Sequence, residues 1–429
     1  MTVPPPKILI STVGSFGDLF PFLALGLALQ REGFDVAVAT SGVYREFVER
    51  EGLDFVAARP DLDDVTEKLG LDLGGLARQM SRDDGFLFQR IIFPFLRESY
   101  DDIGAAAASG AVAIVAHSIA FAAHAAAEKL DLPLFVAHLS PVLHYLPQQP
   151  PLGMGLPFVA APRSKLALGY NRVALACAAE VAHLWAAPLR QFRRELGLPR
   201  RAPFSFFRGV PSPFHSLGLH SPAFLGDQGG DLVAGHTFFD RGPPRAKEET
   251  RALAAFLDEG EAPVVFTLGS FVVRDRAAHH RSCIEAAQRL GQRAVLLASD
   301  EDAALLRAQA PPSIHVAGYA PHGELFPRAK IVVHHGGIGT SGQALRAGKP
   351  QLVTPFLGDQ ADNAARLARL GVARVLPAKA LTVETLTREL RDLLARRDYA
   401  SRAEALGARV AREDGAQAAT RHIAETLRA

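Results

Sequence analysis

The stretch Val333-His334-His335-Gly336-Gly337-Ile338-Gly339-Thr340 decides the fold prediction, because it joins two predicted elements through a glycine-rich turn. The apolar run Ile331-Val332-Val333 predicts a buried parallel strand. The residues after Thr340 predict a helix that ends at Gly348. Such a turn directs backbone N–H groups and the positive end of a helix dipole at one point. The point suits a diphosphate, although a tight turn without any ligand has the same local pattern.

A second strand, Gln351 to Thr354, follows that helix and ends in a loop rich in proline and glycine. The loop carries Asp359 and Gln360. Ligands of open α/β sheets bind beyond the carboxyl ends of the strands, so we expect both loops at one edge of the sheet. A carboxylate and an amide beside a diphosphate would bind the hydroxyl groups of a sugar. The downstream half therefore favours a sugar diphosphate over an unliganded turn.

The pattern H-H-G-G-x-G-T … A-G-x-P-x-x-x-x-P-x-x-x-D-Q-x-x-N-A runs from His334 to Ala364. It resembles the donor-binding signature of family 1 nucleotide-sugar glycosyltransferases, most of all the B subunit of bacterial rhamnosyltransferase and the sterol and glycopeptide glycosyltransferases. The resemblance implies an α/β protein of GT-B fold, in which two Rossmann-like β/α/β domains face each other across a deep cleft. In organisation it covers nearly the whole chain.

Length and composition agree with two domains. The chain has 429 residues, 48% of them hydrophobic and 21% charged, which is typical of a globular protein too long for one core. We predict an acceptor-binding domain over 1–239, a linker over 240–250 that contains Gly242-Pro243-Pro244, and a donor-binding domain over 251–429. The last helix, predicted over Tyr399–Leu427, is free to pack back on the first domain.

Several classes of function are disfavoured. A net charge of +2 with interspersed signs argues against a nucleic-acid surface. The isolated Cys177 and Cys283 are expected to be small buried residues, and no Cys/His spacing predicts a metal site. The uncharged stretch Ile103–Ala127 is long enough to span a bilayer, but we interpret it as a helix end, a turn, a strand and a buried helix. Without a signal peptide pattern, we expect a cytoplasmic protein, with peripheral contact at the inner membrane face as an option.

The first domain begins with a strand over Lys7–Thr12, a glycine turn, a helix over Leu19–Arg31 and a strand over Asp35–Thr40. This pattern also fits an NAD or FAD site. Such a site needs an acid at the end of the second strand, where Thr40-Ser41-Gly42 stands instead. The pattern G-S-x-G-D-x-x-P-x-x-x-L resembles the acceptor-side loop of the glycosyltransferases named above.

Sugar transfer to a hydroxyl group needs a base, and Asp18 is the candidate because it follows the glycine turn and opens a helix. The helix N-terminus is expected to lower its pKa. A plain helix cap is the alternative. His117, at the end of the predicted strand Val112–Ala116, is a candidate partner that would exchange the positions of the His-Asp dyad found in relatives. A satisfied loop histidine is the alternative.

The resemblance also assigns the donor site. It implies that the diphosphate is bound at the glycine turn, that an aromatic residue stacks on the base with backbone groups reading the base edge, and that an acid and an amide bind the sugar. These three sets are His335, Gly337, Gly339 and Thr340, with Ser270 as a further donor; Tyr319 and Ala320; and Asp359 and Gln360. Alternatives are a core position for Tyr319 and a helix cap for Asp359.

Gln343 stands where many UDP-sugar enzymes carry a glutamate that binds the ribose. A neutral amide binds a diol less strongly, so we lean towards TDP-sugars over UDP-sugars as donors. No Asp-x-Asp motif predicts a metal at this edge, and no cofactor is expected, since the nucleotide sugar is a co-substrate.

Apolar loops over 141–164 and 199–222 indicate a groove for a lipophilic acceptor or a surface that touches a membrane. Loops simply packed on the core fit equally well. The acceptor-side candidates are Ser15, Phe16, Phe88 and His138.

The leading hypothesis is an inverting glycosyltransferase that moves a hexosyl or deoxyhexosyl group from a TDP- or UDP-sugar to a lipid, sterol-like or polyketide hydroxyl. A nucleotide-sugar 2-epimerase of the same fold and a non-catalytic nucleotide-sugar-binding subunit are the alternatives. The sequence names neither the sugar nor the acceptor, because one or two hydroxyl contacts decide each.

Overall fold

Two six-stranded parallel sheets, with helices packed on them, make up the computed structural model of the protein. It describes residues 4–80, 82–83, 85–152, 156, 158–199, 215–226, 233–242, 246–268 and 276–429. The chain divides into two units, one of Met1–Phe239 with Asp414–Ala429 and one of Asp240–Glu413. Ser270 and most of the predicted apolar loop 199–222 lie outside the described residues.

The first unit contains the sheet β3-β2-β1-β4-β5-β6. In chain order its elements are β1 (Lys7–Ser11), α1 (Phe16–Arg31), β2 (Asp35–Thr40), α2 (Arg45–Arg50), β3 (Asp54–Ala57), α3 (Leu62–Leu69), α4 (Leu73–Met80), α5 (Leu96–Ala108), β4 (Ala111–His117), α6 (Phe121–Lys129), β5 (Leu134–His138), α7 (Lys165–Trp185), α8 (Ala187–Glu195) and β6 (His215–Gly218).

The second unit contains the sheet β12-β11-β10-β7-β8-β9. Its elements are α9 (Lys247–Asp258), β7 (Val264–Thr267), α10 (Arg276–Arg289), β8 (Ala294–Leu297), α11 (Asp300–Arg307), β9 (Ile314–Ala317), α12 (His322–Leu325), β10 (Ile331–His334), α13 (Ile338–Arg346), β11 (Gln351–Val353), α14 (Gln360–Arg369), β12 (Ala373–Val375), α15 (Val383–Ala395) and α16 (Arg397–Val410); the last helix, α17 (Gly415–Arg428), belongs to the first unit.

Both sheets have the strand order that creates a topological switch point, where neighbouring strands are followed by connections on opposite faces of the sheet. In the first unit the switch lies between β1 and β4, which pair with Ser11 opposite Ala116. In the second it lies between β7 and β10, with Thr267 opposite His334. The central strands are buried on both faces, which explains their continuous apolar sequences. Each switch point leaves a crevice at the carboxyl edge of its own sheet.

The alanine-rich stretch from Ile103 to Ala127 forms the end of α5, a turn, β4 and most of α6, as predicted. Within the ranges that the structure describes, no helix is both long and apolar enough to cross a membrane.

The prediction of one helix over Tyr399–Leu427 is wrong. The structure has two helices, because Asp414 starts a new one by accepting a hydrogen bond from the backbone N–H of Gln417 at 2.9 Å. The new helix, α17, packs on the first unit, where Ala416 lies against Ala24 and Ala28 of α1. The predicted linker over 240–250 is also shorter, since α9 begins at Lys247.

Candidate functional site

The glycine turn of the second unit joins β10 to α13 at the switch point of that sheet. Gly336 has φ of 93°, and a Cβ there would lie 2.8 Å from Val353 Cγ1 and 3.1 Å from the carbonyl oxygen of Gln360. Only glycine fits both the conformation and the space. At Gly339, in contrast, no described atom lies within 4 Å of an added Cβ. The first turn of α13 therefore presents its N–H groups to open space.

His334, the first histidine of the motif, holds the turn in place. Its Nδ1 accepts a hydrogen bond from the N–H of Gly336 at 3.0 Å, so its proton is on Nε2, which donates to Gln351 Oε1 at 2.8 Å. Burial lowers the pKa of His334 to about 4, which keeps the ring neutral. The motif implied a role only for the second histidine, and this one was missed.

His335 is the histidine assigned to the diphosphate. Burial and the neighbouring His334 and His322 lower its pKa to about 3, so the ring is neutral at physiological pH. Its Nδ1 is buried and has no hydrogen-bond partner among the described residues. An added Cβ at Gly337 would collide with its Nε2. A neutral imidazole held this way can donate one hydrogen bond to an anion, and Thr340, 8% exposed, follows in the first turn of α13.

Asn363 links the two halves of the motif. Its Nδ2 donates to the carbonyl oxygen of Gly336 at 3.0 Å and to Asp359 Oδ2 at 2.9 Å. Asp359 occupies the N-cap position of α14, but the described contacts include no cap hydrogen bond from its side chain. One amide therefore fixes the predicted sugar-binding acid against the predicted diphosphate-binding turn.

We expect Asn363→Asp to weaken nucleotide binding by at least tenfold, because a carboxylate would face both a carbonyl oxygen and Asp359. Calorimetric titration with thymidine diphosphate measures the change. Asn171→Asp is the matched control, since the Asn171 Nδ2 also donates to two carbonyl oxygens, those of Pro147 at 2.9 Å and Ala160 at 2.8 Å, in the first unit. Equal losses of affinity in the two variants would contradict the specific role.

Gln360 contributes differently from the prediction. Its Oε1 accepts hydrogen bonds from the N–H groups of Phe356 at 2.8 Å and Leu357 at 3.2 Å, and the residue is 6% exposed. The amide oxygen thus closes the loop that carries Asp359, which leaves the Nε2 group as its donor for a ligand. The pairing of an acid with an amide in sequence did not reveal this division of work.

Tyr319 and Ala320 follow β9 at the same edge of the sheet. Tyr319 is half-buried, and Gly242 of the predicted linker lies against its ring, where any side chain at 242 would collide. Ala320 is fully buried. Stacking of Tyr319 on a base stays a prediction.

Gln343 is bound to a carboxylate that sequence reasoning did not assign. Its Nε2 donates to Asp240 Oδ1 at 2.9 Å, and Arg346 Nη1 donates to Asp240 Oδ2 at 2.8 Å. Gln343 Oε1 is buried without a hydrogen-bond partner in the described part of the chain. Asp240 is 45% exposed and can accept further hydrogen bonds. A carboxylate and an orphaned acceptor therefore stand together beside α13.

In the first unit, Asp18 is the N3 residue of α1 and part of a capping box. Its Oδ2 accepts from the N–H of Ser15 at 2.7 Å and from the Ser15 hydroxyl at 3.1 Å. Gly14 has φ of 134°, and a Cβ there would lie 2.6 Å from Asp18 Cγ, so glycine is required at this position. The cap and the candidate base are thus one residue, whose two oxygens have separate surroundings.

The expectation that the helix lowers the pKa of Asp18 is wrong. Burial raises its pKa, and it outweighs the hydrogen bonds to Ser15, which act in the opposite direction. The side chain remains 36% exposed. A carboxylate with a raised pKa is a stronger base, which suits proton abstraction near neutral pH.

His117 ends β4, on the other side of the switch point, with its Nε2 3.7 Å from Asp18 Oδ1. Its Nδ1 accepts a hydrogen bond from the N–H of Ile119 at 3.2 Å, so the proton of the neutral ring is on Nε2 and faces Asp18. Burial lowers the pKa of His117 to about 4. The structure brings the two predicted catalytic residues together, with the imidazole as a neutral N–H group.

Ser15 and Phe16 lie at the start of α1 beside Asp18. The ring of Phe16 contacts the ring of Tyr44, with centroids 5.0 Å apart. The Tyr44 hydroxyl donates to the carbonyl oxygen of Gly14 at 3.0 Å, and burial together with the charge of Asp18 raises its pKa to about 12. Tyr44 was not predicted, because its partner is thirty residues away in sequence.

The other two acceptor-side candidates lie apart from this pair. Phe88 is half-buried among Phe93, Phe121 and Trp185, at centroid distances of 6.2, 6.3 and 5.7 Å. His138 ends β5 but is only 1% exposed, with its ring centroid 5.1 Å from that of His144. Acceptor contact by either residue stays a prediction. Among the described residues, no cluster of His, Cys, Asp or Glu could hold a metal.

Two Rossmann-like units, one with an anion-binding turn at its switch point, define the GT-B class of glycosyltransferases. A spinosyn rhamnosyltransferase, solved with thymidine diphosphate, has the same fold, with a TM-score of 0.67 over 98% of this chain and 100% of that one at 18% identity. Residues 8–144 match the glycosyltransferase family 28 N-terminal domain, and residues 282–429 match the C-terminal domain of erythromycin biosynthesis protein CIII-like proteins.

The sequence relatives have the same character. An O-mycaminosyltylonolide 6-deoxyallosyltransferase of Streptomyces fradiae is 30% identical over 96% of this chain and 95% of its own length. A sterol 3-beta-glucosyltransferase of Emericella nidulans is 28% identical over 99% of this chain. The chain spans 30% of the length of that sterol relative. The protein therefore belongs to the family 1 glycosyltransferases of GT-B fold.

Proposed function

We propose that the protein is an inverting glycosyltransferase that moves a hexosyl or deoxyhexosyl group from a TDP-sugar, or less readily a UDP-sugar, to a hydroxyl group of a lipophilic acceptor. The observation that carries the proposal is the open space before the N-terminus of α13, where neutral His335 and backbone N–H groups meet. Relatives named for transfer to a sterol and to a macrolide support the acceptor class.

The proposed step moves one proton and one electron pair. Asp18 takes the proton of the acceptor hydroxyl while the acceptor oxygen attacks the anomeric carbon. The bond from that carbon to the phosphate oxygen breaks, and its electron pair leaves with the diphosphate. Backbone N–H groups of α13, His335 and Thr340 stabilise the negative charge that develops there. Attack opposite the leaving group inverts the anomeric carbon.

Asp240 enters the proposal as a second hydroxyl-binding group. A ribose hydroxyl can donate to its carboxylate or to the orphaned Gln343 Oε1. The carboxylate that many relatives carry at the position of Gln343 is thus replaced by one from the linker segment. We expect Asp240→Asn to weaken binding of thymidine and uridine diphosphates by about tenfold, the cost of losing a charged hydrogen bond.

A thermal-shift comparison tests the donor assignment. Thymidine diphosphate should raise the melting temperature most, uridine diphosphate less and guanosine diphosphate least, because a ligand that binds only the folded state stabilises it. No shift with any of the three would overturn the proposal. Incubation of the preferred nucleotide sugar with and without a sterol or macrolide acceptor then separates transfer from epimerisation of the sugar.

His117 is proposed as a positioning residue whose Nε2–H stabilises the Asp18 carboxylate. We expect His117→Ala to lower kcat about tenfold with little change in the donor KM. Loss of the N–H also raises the pKa of Asp18 further, so the acid limb of the kcat/KM profile moves to higher pH. In the wild type this limb lies above pH 3.8, and a limb near 6.5 is not expected, since the pKa of His117 is about 4.

The control for His117 is the Asp18→Asn variant under the same conditions. If His117→Ala keeps full turnover and an unmoved acid limb while Asp18→Asn loses activity, the exchanged dyad is refuted and Asp18 acts alone or with water.

We also propose a cytoplasmic location with peripheral contact at the inner membrane face. An exposed free thiol at Cys177 supports a reducing compartment, because disulfides form readily elsewhere. Fractionation of the source cells tests this location, and recovery of the protein outside the cytoplasmic membrane would contradict it.

A further inference from the structure

The exposed apolar side chains of the protein are concentrated on one helix. Of the eleven large apolar side chains that are exposed in the described part of the chain, seven lie between residues 158 and 185. They are Phe158, Leu166, Tyr170, Val173, Val181, Leu184 and Trp185, with exposed fractions from 39% to 87%. All but the first belong to α7 of the first unit. Such a concentration marks an interaction surface.

These side chains form a straight stripe. Leu166, Tyr170, Val173, Cys177, Val181 and Leu184 are spaced by three or four residues, so they share one face of the helix. At about 100° per residue they occupy an arc of roughly 80°. The opposite face, with Asn171, Leu175 and Ala179, is buried against the unit. All six residues of the stripe can therefore enter one flat surface at the same depth.

The charges that flank the stripe have one sign. Arg163, Lys165 and Arg172 are exposed at its edge and at its start. The acidic residue of α7, Glu180, is half-buried. Trp185 lies at the far end, and tryptophan and tyrosine favour the boundary between headgroups and acyl chains. Apolar residues next to cations are the composition of helices that lie on anionic membranes.

The dimensions favour a lipid surface over a second copy of the chain. A helix of 21 residues is about 30 Å long and roughly 10 Å wide, so it offers on the order of 300 Å². A stable protein interface needs roughly 800 Å² from each partner. An interfacial helix needs only its apolar face to sink about 5–10 Å into the headgroup region. We propose that α7 docks the first unit on an anionic lipid bilayer.

Vesicle co-sedimentation tests the proposal. The wild-type protein should pellet with phosphatidylcholine vesicles that contain phosphatidylglycerol and remain in the supernatant with phosphatidylcholine alone. Val173→Glu with Leu184→Glu should lower the bound fraction at least tenfold, and glutamate keeps good helix propensity at both exposed positions. Leu305→Glu is the matched control, because Leu305 is 64% exposed on α11 of the other unit.

The cations are tested separately. Lys165→Glu with Arg172→Glu should weaken binding by about fivefold for each charge removed, whereas Arg409→Glu, on exposed α16, should not. Failure of the wild type to bind anionic vesicles at low salt would overturn the proposal, as would equal binding by the stripe variant. A wild-type dimer that becomes a monomer in the stripe variant, without vesicle binding, would assign the stripe to a second copy. Nucleotide-induced thermal shifts should be unchanged in all these variants, which separates this proposal from the proposed function.

Discussion

Replacement of Asp18 by asparagine is expected to lower kcat by roughly a hundredfold to ten-thousandfold, the usual contribution of a general base. Asparagine keeps an oxygen that can accept the hydrogen bonds from Ser15, so the capping box survives. What is lost is the oxygen that faces His117 as a base. Turnover of a TDP-sugar, measured with an acceptor that the wild type uses, reports the loss.

The chain supplies a matched control for this variant. Asp302 is the N3 residue of α11, where its Oδ2 accepts from the Ser299 hydroxyl at 2.9 Å, in the same kind of cap as Asp18 and Ser15. Asp302→Asn should therefore change the melting temperature about as much as Asp18→Asn and leave kcat unchanged. If Asp18→Asn kept more than a tenth of the wild-type turnover, Asp18 would be only a helix cap.

Gly339→Asp is expected to abolish nucleotide binding while the fold remains intact. The new side chain meets no described atom within 4 Å, and a carboxylate in the first turn of a helix stabilises that helix. It also puts a negative charge where the diphosphate is proposed to bind. We expect an unchanged or higher melting temperature without ligand and at least a hundredfold loss of affinity for thymidine diphosphate.

The control is Gly104→Asp on α5, another helical glycine with open space around an added Cβ. This variant should bind thymidine diphosphate like the wild type. Retention of affinity by Gly339→Asp would mean that the diphosphate binds somewhere else. Loss of the fold in Gly339→Asp would contradict the open space seen at that position.

Much of the fold was predictable because its physics is local. The strands around β1 and β10 are continuous apolar runs, and the turn after β10 is rich in glycine, which is sufficient to predict two βα-repeat units. The break between α16 and α17 was missed although Asp414-Gly415 carries a cap signal. That signal was outweighed by the helical spacing of the residues on either side.

The site was predictable only in part, since several of its contacts join distant residues. Gln343 and Asp240 are separated by 103 residues, and Asn363 and Gly336 by 27, so neither pair can be predicted from local pattern. The pKa of Asp18 was assigned the wrong direction because the sequence shows the helix N-terminus but not the burial. The two histidines of the motif differ in role through one hydrogen bond to Gln351.

A crystal structure of the protein with thymidine diphosphate tests the central claim most directly. The account predicts both phosphate groups at the N-terminus of α13, within hydrogen-bond distance of the backbone N–H groups of Gly339 and Thr340 and of the His335 ring. A diphosphate bound at any other place, with the space in front of Gly339 occupied by protein side chains, would contradict it.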